Sequence, residues 1–504
     1  MLSAYPEGVP VHYVFAQRAQ ESPDAPALIG TEGVLTYAQL DQRADQIAGL
    51  LRKHGVSSGD FVATALHRSL DMPATFLAIL KCGAAYCPLD LNHPAERIQL
   101  ILQDAKIAAI VTDLEHASGL PQTDVRLLVL DKPGTFDGVE SATLDLVHPQ
   151  DVMCLLYTSG STGLPKGVLI PHKGVIRLLF ESNYIPFGSH LCMLHHAPLV
   201  FDASTYEIWG SLLHGGKCVL YPGKGLIFHE LRDAIRKYQV NSLLLGPAPF
   251  NLIIDEDPDV LTGIEYLVIA GEAMSATHSR KALAKFPDLH LVNGYGPTEA
   301  TTFATTYTIS RDFSRDAKSV PIGKAIARTT LYIYDSNNNL ITDDAPGELF
   351  IGGVGVAMGY LNRPELTAEK FIADPFSQDP NARLYRTGDL CRWMPDGNLD
   401  YIGRIDHQVK IRGHRIEPGE IETVMQKHPG IAQCILVAGG DPSDRFLIGY
   451  YTVRKGQTCT PEQLRNHLTA TLPAYLVPQW LTPLEKLPIN ANGKVELPYS
   501  LSPA

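Results

Sequence analysis

No stretch of the 504-residue chain approaches the roughly 18 consecutive apolar residues of a membrane-spanning helix, so no membrane segment is expected. The N-terminus, MLSAYPEGVPVHYVF, lacks the basic-then-apolar order of a secretion signal, and a cytoplasmic location is expected. Positive charge is scarce: 42 Lys and Arg face 54 Asp and Glu, a formal net charge of −12. That balance argues against a general affinity for nucleic acid or an anionic membrane. The 8 cysteines include no CxxC pair and sit mostly in apolar runs, which excludes a disulfide framework and predicts buried free thiols. Histidines are scattered. Even His195-His196 lacks companions at metal-ligand spacing, so no zinc site is expected. Internal repeats and low-complexity tracts are absent.

What is present is alternation. The chain is longer than one hydrophobic core usually supports, so two or more domains are expected. Val11–Ser22 reads as a helix, Ala27–Ile29 and Val34-Leu35 as a hairpin, and Tyr37–Lys53 as a long amphipathic helix capped by Thr36. Val62–Leu66, Gly83–Leu89 and Ile107–Thr112 read as strands, separated by helices over Asp71–Lys81 and Pro94–Ala105. Strands alternating with helices predict an α/β fold with parallel sheets. Near the C-terminus, Glu420–Lys427 and Pro461–Leu472 read as helices, and Gln433–Val437 and Phe446–Val453 as strands, a compact unit of about 100 residues.

The stretch Leu155–Ile170, LLYTSGSTGLPKGVLI, stands out. The apolar run Val152–Tyr157 breaks into Thr158, Ser159, Gly160, Ser161, Thr162, Gly163, Leu164, Pro165 and Lys166, and apolar Val168–Ile170 follows. Glycines bare backbone N–H groups, hydroxyls add neutral donors and Lys166 adds charge, the makings of a phosphate cradle. A Walker loop is excluded, because Pro165 precedes Lys166, Gly167 follows it and the next element reads as a strand. Gly352–Gly359 nearly imitates a dinucleotide fingerprint, but Met358 takes the last glycine position, so close backbone packing is expected there and no NAD site.

Further motifs follow in order: FDASTYEIW from Phe201, NGYGPTE from Asn293, YRTGD ending at Asp389, GRIDHQVKIRGHR from Gly403 to Arg415, and NGK ending at Lys494. With the cradle, this series resembles the adenylation domains of nonribosomal peptide synthetases, within the adenylate-forming enzymes. The resemblance runs from about Leu35 to about Leu497. It implies that family's α/β fold: a large N-terminal domain of layered sheets and helices, residues 1–405, and a small mobile C-terminal α/β domain, residues 406–504, with Asp406 as hinge. It also implies two half-reactions. A carboxylate attacks the α-phosphate of ATP and releases pyrophosphate; then a phosphopantetheine thiol on a carrier protein takes the acyl group and AMP leaves.

The resemblance assigns the cradle to the β- and γ-phosphates. It places Tyr295, between Gly294 and Gly296, against adenine, Thr298 on the α-phosphate and Glu299 on Mg²⁺. Asp389 accepts from the ribose hydroxyls, with Tyr401 and Arg404 closing the nucleotide pocket. Lys494 pairs with the substrate carboxylate and the α-phosphate, offsetting repulsion between two anions as they approach.

The same alignment builds a substrate pocket. Asp202 takes the α-ammonium of an amino acid, Lys494 its carboxylate, and Ala203, Tyr206, Leu245, Val268, Ala270, Gly294, Thr302 and Phe303 line the rest. No charge is available for a basic or acidic side chain, whose burial unpaired is costly. The Gly-Thr-Phe portion resembles valine-type pockets, although Leu245 departs from the large aromatic often found there. The expected order is valine, then isoleucine or another small apolar amino acid, then phenylalanine. A β-amino acid is the alternative substrate. An acyl-CoA ligase and a non-catalytic nucleotide-binding relative are the alternative functions. No carrier segment follows Lys494, so the acceptor thiol is expected on a separate partner or on a longer parent chain.

Overall fold

A computed structural model describes residues 4–140, 146–160, 163–223, 225–440 and 445–487. Of the expected site residues, Ser161, Thr162 and Lys494 lie outside these ranges.

Local sequence starts the elements where expected. Thr36 accepts a hydrogen bond from the Gln39 N–H while the Gln39 side chain accepts from the Thr36 N–H, a reciprocal cap that opens the helix Tyr37–Lys53. Leu40, Ala44, Ile47 and Leu51 recur at helical spacing and are buried. They face the helix Asp71–Lys81, to which Arg43 adds a two-pronged pair with Asp71 at 2.7 and 2.8 Å. The strand expected over Gly83–Leu89 shortens to Ala85–Pro88, because Gly83 turns the chain at φ +66° after the helix. Pro94 flanks the helix Ala95–Asp104 rather than opening it.

Among the described residues three sheets build the larger part of the molecule. The first runs Arg126–Val129, Ala109–Thr112, Phe61–Ala65, Ala85–Pro88, Val152–Thr158, Lys166–Pro171. Its pairs are parallel except the last, a hairpin that carries the cradle between its arms. The second is nine-stranded, with the parallel strands Ser242–Leu245, Tyr266–Ala270 and His290–Tyr295 side by side. Their near-continuous apolar character fits burial on both faces. A third, antiparallel sheet centres on Gly347–Gly353 and Arg383–Trp393 and delivers Asp389. The close packing expected at Gly352–Gly359 is present: a Cβ on Gly355 would collide with the guanidinium of Arg177.

Beyond Arg404 come the hairpin Val409–Ile411/His414–Ile416, the helices Pro418–Lys427 and Pro461–Thr471, and a sheet of Ile431–Gly439, Phe446–Val453 and Trp480–Pro483. This smaller unit has its own core, including Ile421, Val424, Leu464 and Leu468. Seven of the eight cysteines are buried, Cys434 is half-buried, and all are free thiols. No helix among the described residues is long and apolar enough to cross a membrane.

Candidate active site

The loop Tyr295–Phe303 joins the two halves of the site. Buried Arg177 fixes it from behind, donating to the carbonyls of Phe303 at 2.6 Å and Ala300 at 2.5 Å. Thr301 and Thr302 hold φ of +54° and +65°, a strained conformation for β-branched residues and one common at functional sites. The strain turns Thr302 and Phe303 into a cavity of about 730 Å³ that also meets Asp202, Ala203, Ala270, Gly294, Tyr295 and Tyr401.

One corner holds Asp389. Its carboxylate accepts from the Tyr295 hydroxyl at 2.5 Å and from Arg404 at 2.7 Å. Arg404 then reaches Asp406 with two contacts of 2.6 Å, so the carboxylate and the expected hinge share one guanidinium. The Tyr401 ring lies 6.4 Å from that of Tyr295.

A second corner gathers Lys166 and Glu299. Lys166 Nζ lies 3.6 Å from Glu299 Oε1 and 3.3 Å from the Tyr360 hydroxyl, which donates to Glu299 at 2.7 Å. Arg415 donates to the other carboxylate oxygen at 2.6 Å. Burial alone would raise the proton affinity of Glu299, but Arg415 and Lys166 reverse this and hold it ionised far below the usual carboxylate range. Burial lowers the pKa of Lys166, and Glu299 opposes that shift.

The cradle completes this corner. Thr158 Oγ1 is buried without a hydrogen-bond partner among the described residues, a donor suited to a phosphate oxygen. Gly160 offers its backbone N–H, which here goes to Glu420 Oε2 at 3.2 Å. Arg97 grips the other oxygen of Glu420 at 2.6 Å, both side chains being buried. The Ser159 hydroxyl meets the carbonyl of Arg415, and Gly163 lies so close to Thr423 that a Cβ would clash. Arg415, Glu420 and Thr423 all belong to the smaller unit, which therefore rests on the cradle. Its hairpin places Lys410 5.7 Å from the centre of the Tyr295 ring, with Asp389 and Asp202 among the charges it feels.

Asp202 flanks the start of the helix Ala203–Leu212. Glu207, one turn on and buried, accepts from the His195 ring at 2.7 Å and from the N–H groups of His196 and Ala197, tying the helix to the neighbouring strand end. Burial raises the pKa of Asp202 and Glu299 adds to the rise; the Thr298 hydroxyl, the more distant Lys410 cation and the Thr302 N–H favour the anion. Consecutive Thr298 and Glu299 thus touch Asp202 on one side and Lys166 on the other.

The expected pocket needs correction at three positions. Leu245 faces away from the cavity into the core on the other side of the sheet, and Leu244 lines the wall instead. Successive strand residues alternate faces, and Leu244 pairs with Val268 on the cavity side. Tyr206 and Val268 lie one layer deeper, fully buried in the core that includes Leu244 and Phe303. The Tyr206 ring packs 5.4 Å from that of Phe303. Leu244, Arg177, Glu207, Tyr360, Lys410, Arg415 and Glu420 were given no role from sequence. Period-two alternation against Val268 was the available signal for Leu244. Glu207, Lys410 and Arg415 lay inside quoted motifs, whereas nothing local marked Arg177, Tyr360 and Glu420.

The chain is similar to known proteins over nearly its whole length. A model described as AMP-binding enzyme matches residues 15–361, and one described as AMP-binding enzyme C-terminal domain matches 420–494. The chain is 39% identical over 495 residues to tyrocidine synthase 3 of Brevibacillus parabrevis, covering 98% of this chain and 8% of that protein. It is 38% identical over 497 residues to gramicidin S synthase 2 of Brevibacillus brevis, covering 98% and 11%. The chain therefore spans about a tenth of the length of these curated relatives. Among solved structures it resembles holo-PA1221, a nonribosomal peptide synthetase protein containing adenylation and PCP domains bound to a vinylsulfonamide inhibitor, with TM-score 0.88, 31% identity and coverage of 97% and 83%. It also resembles NpsA-ThdA, an artificially fused adenylation-PCP di-domain from Klebsiella oxytoca, with TM-score 0.86, 28% identity and coverage of 96% and 94%.

Proposed function

Because the chain belongs to the AMP-binding enzymes, among the adenylation domains of nonribosomal peptide synthetases, we propose that it activates a small to medium apolar amino acid, valine first, with ATP. The amino-acid carboxylate attacks the α-phosphate, forming a C–O–P linkage as the bond to pyrophosphate breaks. A phosphopantetheine thiol of a carrier protein then attacks the acyl carbon, and AMP leaves.

The observation that carries the reading is Asp202. It is a carboxylate at the mouth of an apolar wall, held by neutral donors, with no cation within 4.0 Å among the described residues. Lys410 acts on it from farther off, and a ligand ammonium supplies the direct partner, which a plain carboxylic acid lacks. Leu244, Ala203, Ala270 and Phe303 then receive an uncharged side chain. Asp389 takes the ribose and Tyr295 the adenine. Thr158, Gly160 and Lys166 take the phosphates, where aligned donors stabilise developing charge. Lys494 bridges substrate carboxylate and α-phosphate.

Glu299 suits Mg²⁺: it is one ionised, buried carboxylate beside the cradle, and Mg²⁺ completes its shell with phosphates and water. When bound, the ion would neutralise phosphate charge. Both carboxylate oxygens are engaged here by Arg415 and Tyr360, so this role goes with an arrangement in which Arg415 withdraws. Glu420 on the Gly160 N–H likewise takes a donor that a phosphate would use. We therefore read this arrangement as the one for the second half-reaction. Residues 406–504 turn about Asp406 to bring Lys494 in for the first.

ATP–pyrophosphate exchange across amino acids and plain carboxylic acids tests the reading. Exchange with valine or another apolar α-amino acid supports it, exchange with a β-amino acid alone moves the substrate class, and exchange only with plain acids, or with nothing, overturns it. Lys494→Ala is expected to abolish exchange while ATP still binds. Exchange at the parent rate would remove Lys494 from its role.

A further inference from the structure

A second cavity, of about 550 Å³, shares no lining residue with the active site. It lies at the carboxyl ends of the neighbouring parallel strands Phe61–Ala65 and Ala109–Thr112. From the first the chain crosses to Ala85–Pro88 on one side; from the second it continues to Arg126–Val129 on the other. Such a reversal opens a crevice between strand ends, the place where open α/β sheets bind ligands. The adenylation reading makes no use of it.

His67 follows the first strand and Asp113 the second. Asp113 is buried. Its Oδ2 lies 2.9 Å from His67 Nδ1, and its Oδ1 lies 2.7 Å from His116 Nδ1 and accepts from the His116 backbone N–H at 2.8 Å. The two rings are stacked with centroids 5.4 Å apart. With each Nδ1–H given to this carboxylate, each ring keeps its Nε2 lone pair. One donor atom from each of His67, Glu115 and His116 lies within 4.8 Å of the others. Glu32 Oε1 stands 3.7 Å from His67 Nε2.

We propose that His67, Glu115 and His116 bind one divalent transition-metal ion of the zinc type, with Asp113 orienting both imidazoles. Two histidines and a carboxylate are a recurrent ligand set for such ions, and a carboxylate behind a ligating histidine is its usual support. Here one carboxylate serves both rings. A tetrahedral ion with bonds of about 2.1 Å holds its ligand atoms about 3.4 Å apart, so the three side chains close by about an ångström. His67 and Glu115 are exposed and free to do so. Imidazole ligands favour zinc, cobalt or nickel over calcium and magnesium, which prefer oxygen shells. The ligands come from two loops well apart in the chain, which is why no metal spacing was visible in the sequence.

The test uses the full chain freed of metal with a chelator and titrated with Co²⁺ alone, followed by visible d–d absorption, with Zn²⁺ added as competitor. A band that saturates at one equivalent and is displaced by Zn²⁺ is expected. It should weaken at least about tenfold in His67→Ala, His116→Ala and Asp113→Asn. Zn²⁺ should raise the melting temperature of the parent and not of the double histidine variant. Glu115→Gln, at an exposed position, keeps the test open if a histidine variant fails to fold. No band at one equivalent, or a band unchanged in the Glu115 and histidine variants, overturns the proposal.

Discussion

The phosphate corner holds a buried carboxylate and the amino-acid pocket a half-buried one, and the two are satisfied in opposite ways. Glu299 is saturated by the protein itself: Arg415 at 2.6 Å, Tyr360 at 2.7 Å and Lys166 at 3.6 Å. Asp202 has neutral donors and no cation within 4.0 Å among the described residues. On the proposed function, the first carboxylate exchanges partners as the smaller unit moves. The other has only the more distant Lys410 and no direct ion pair among the described residues. On the proposed function, the contrast separates the part of the site that would handle phosphate from the part that would select the acid.

The largest expected effect comes from breaking the saturated corner. Glu299→Gln leaves Lys166 and Arg415 buried together without their anion, and a loss of about 3–5 kcal/mol is expected, read by urea denaturation. A variant as stable as the parent would mean that the pair is not buried together in solution.

Asp202→Asn should act on function instead. Amino-acid-dependent exchange is expected to fall at least about 30-fold through KM, the effect of about 2 kcal/mol or more from an unpaired ligand charge, with stability held. The pH dependences should also oppose one another. The pKa of Asp202 is raised by burial, so folding binds its proton more tightly. Its contribution to stability is present below the ordinary carboxylate value and is lost as pH rises through the raised one. The pKa of Glu299 is depressed, so its contribution is present above the ordinary value and is lost as pH falls through the folded one. Each neutral variant should lose its own slope in a stability–pH profile. For the amino acid, KM should rise on acidification through the Asp202 titration in the parent, and stay flat in Asp202→Asn.

A smaller effect is expected from Glu420→Gln, which keeps the shape but weakens the hold on Gly160 and Arg97. Transfer to a carrier thiol should slow about tenfold, the worth of a hydrogen bond to a charged group, while exchange stays near the parent rate. Equal losses in both assays would show that Glu420 serves no particular arrangement.

The finest distinction is between neighbours. Leu245→Ala should cost about 2–5 kcal/mol of stability and leave substrate preference alone, as a core cavity does. Leu244→Ala should instead shift preference toward larger side chains by about 1–3 kcal/mol. The reverse outcome would put the cavity on the other face of the sheet.

These neighbours also show how far sequence reading reached. Element positions were legible because caps, apolar period and turn residues act within a few residues, as in the Thr36–Gln39 cap. The motifs around Gly160, Asp202, Tyr295 and Asp389 were legible because they keep the family's residue types in the family's order. The pocket wall was not fully legible. A one-residue offset within LLLG is invisible in a run of identical leucines, yet it reverses the face that each side chain meets.

By itself the sequence determined that the chain is layered α/β, where most of its strands and helices lie, and to which family its motifs belong, since these follow from local propensity and from residue types in a fixed order. The tertiary structure alone decided that Arg415 and Glu420 of the smaller unit occupy the phosphate corner, that Arg177 and Glu207 brace the site, and that Leu244 rather than Leu245 faces the ligand. Those outcomes depend on how distant segments pack and on which face of a sheet each residue meets, information that no local window of the chain contains.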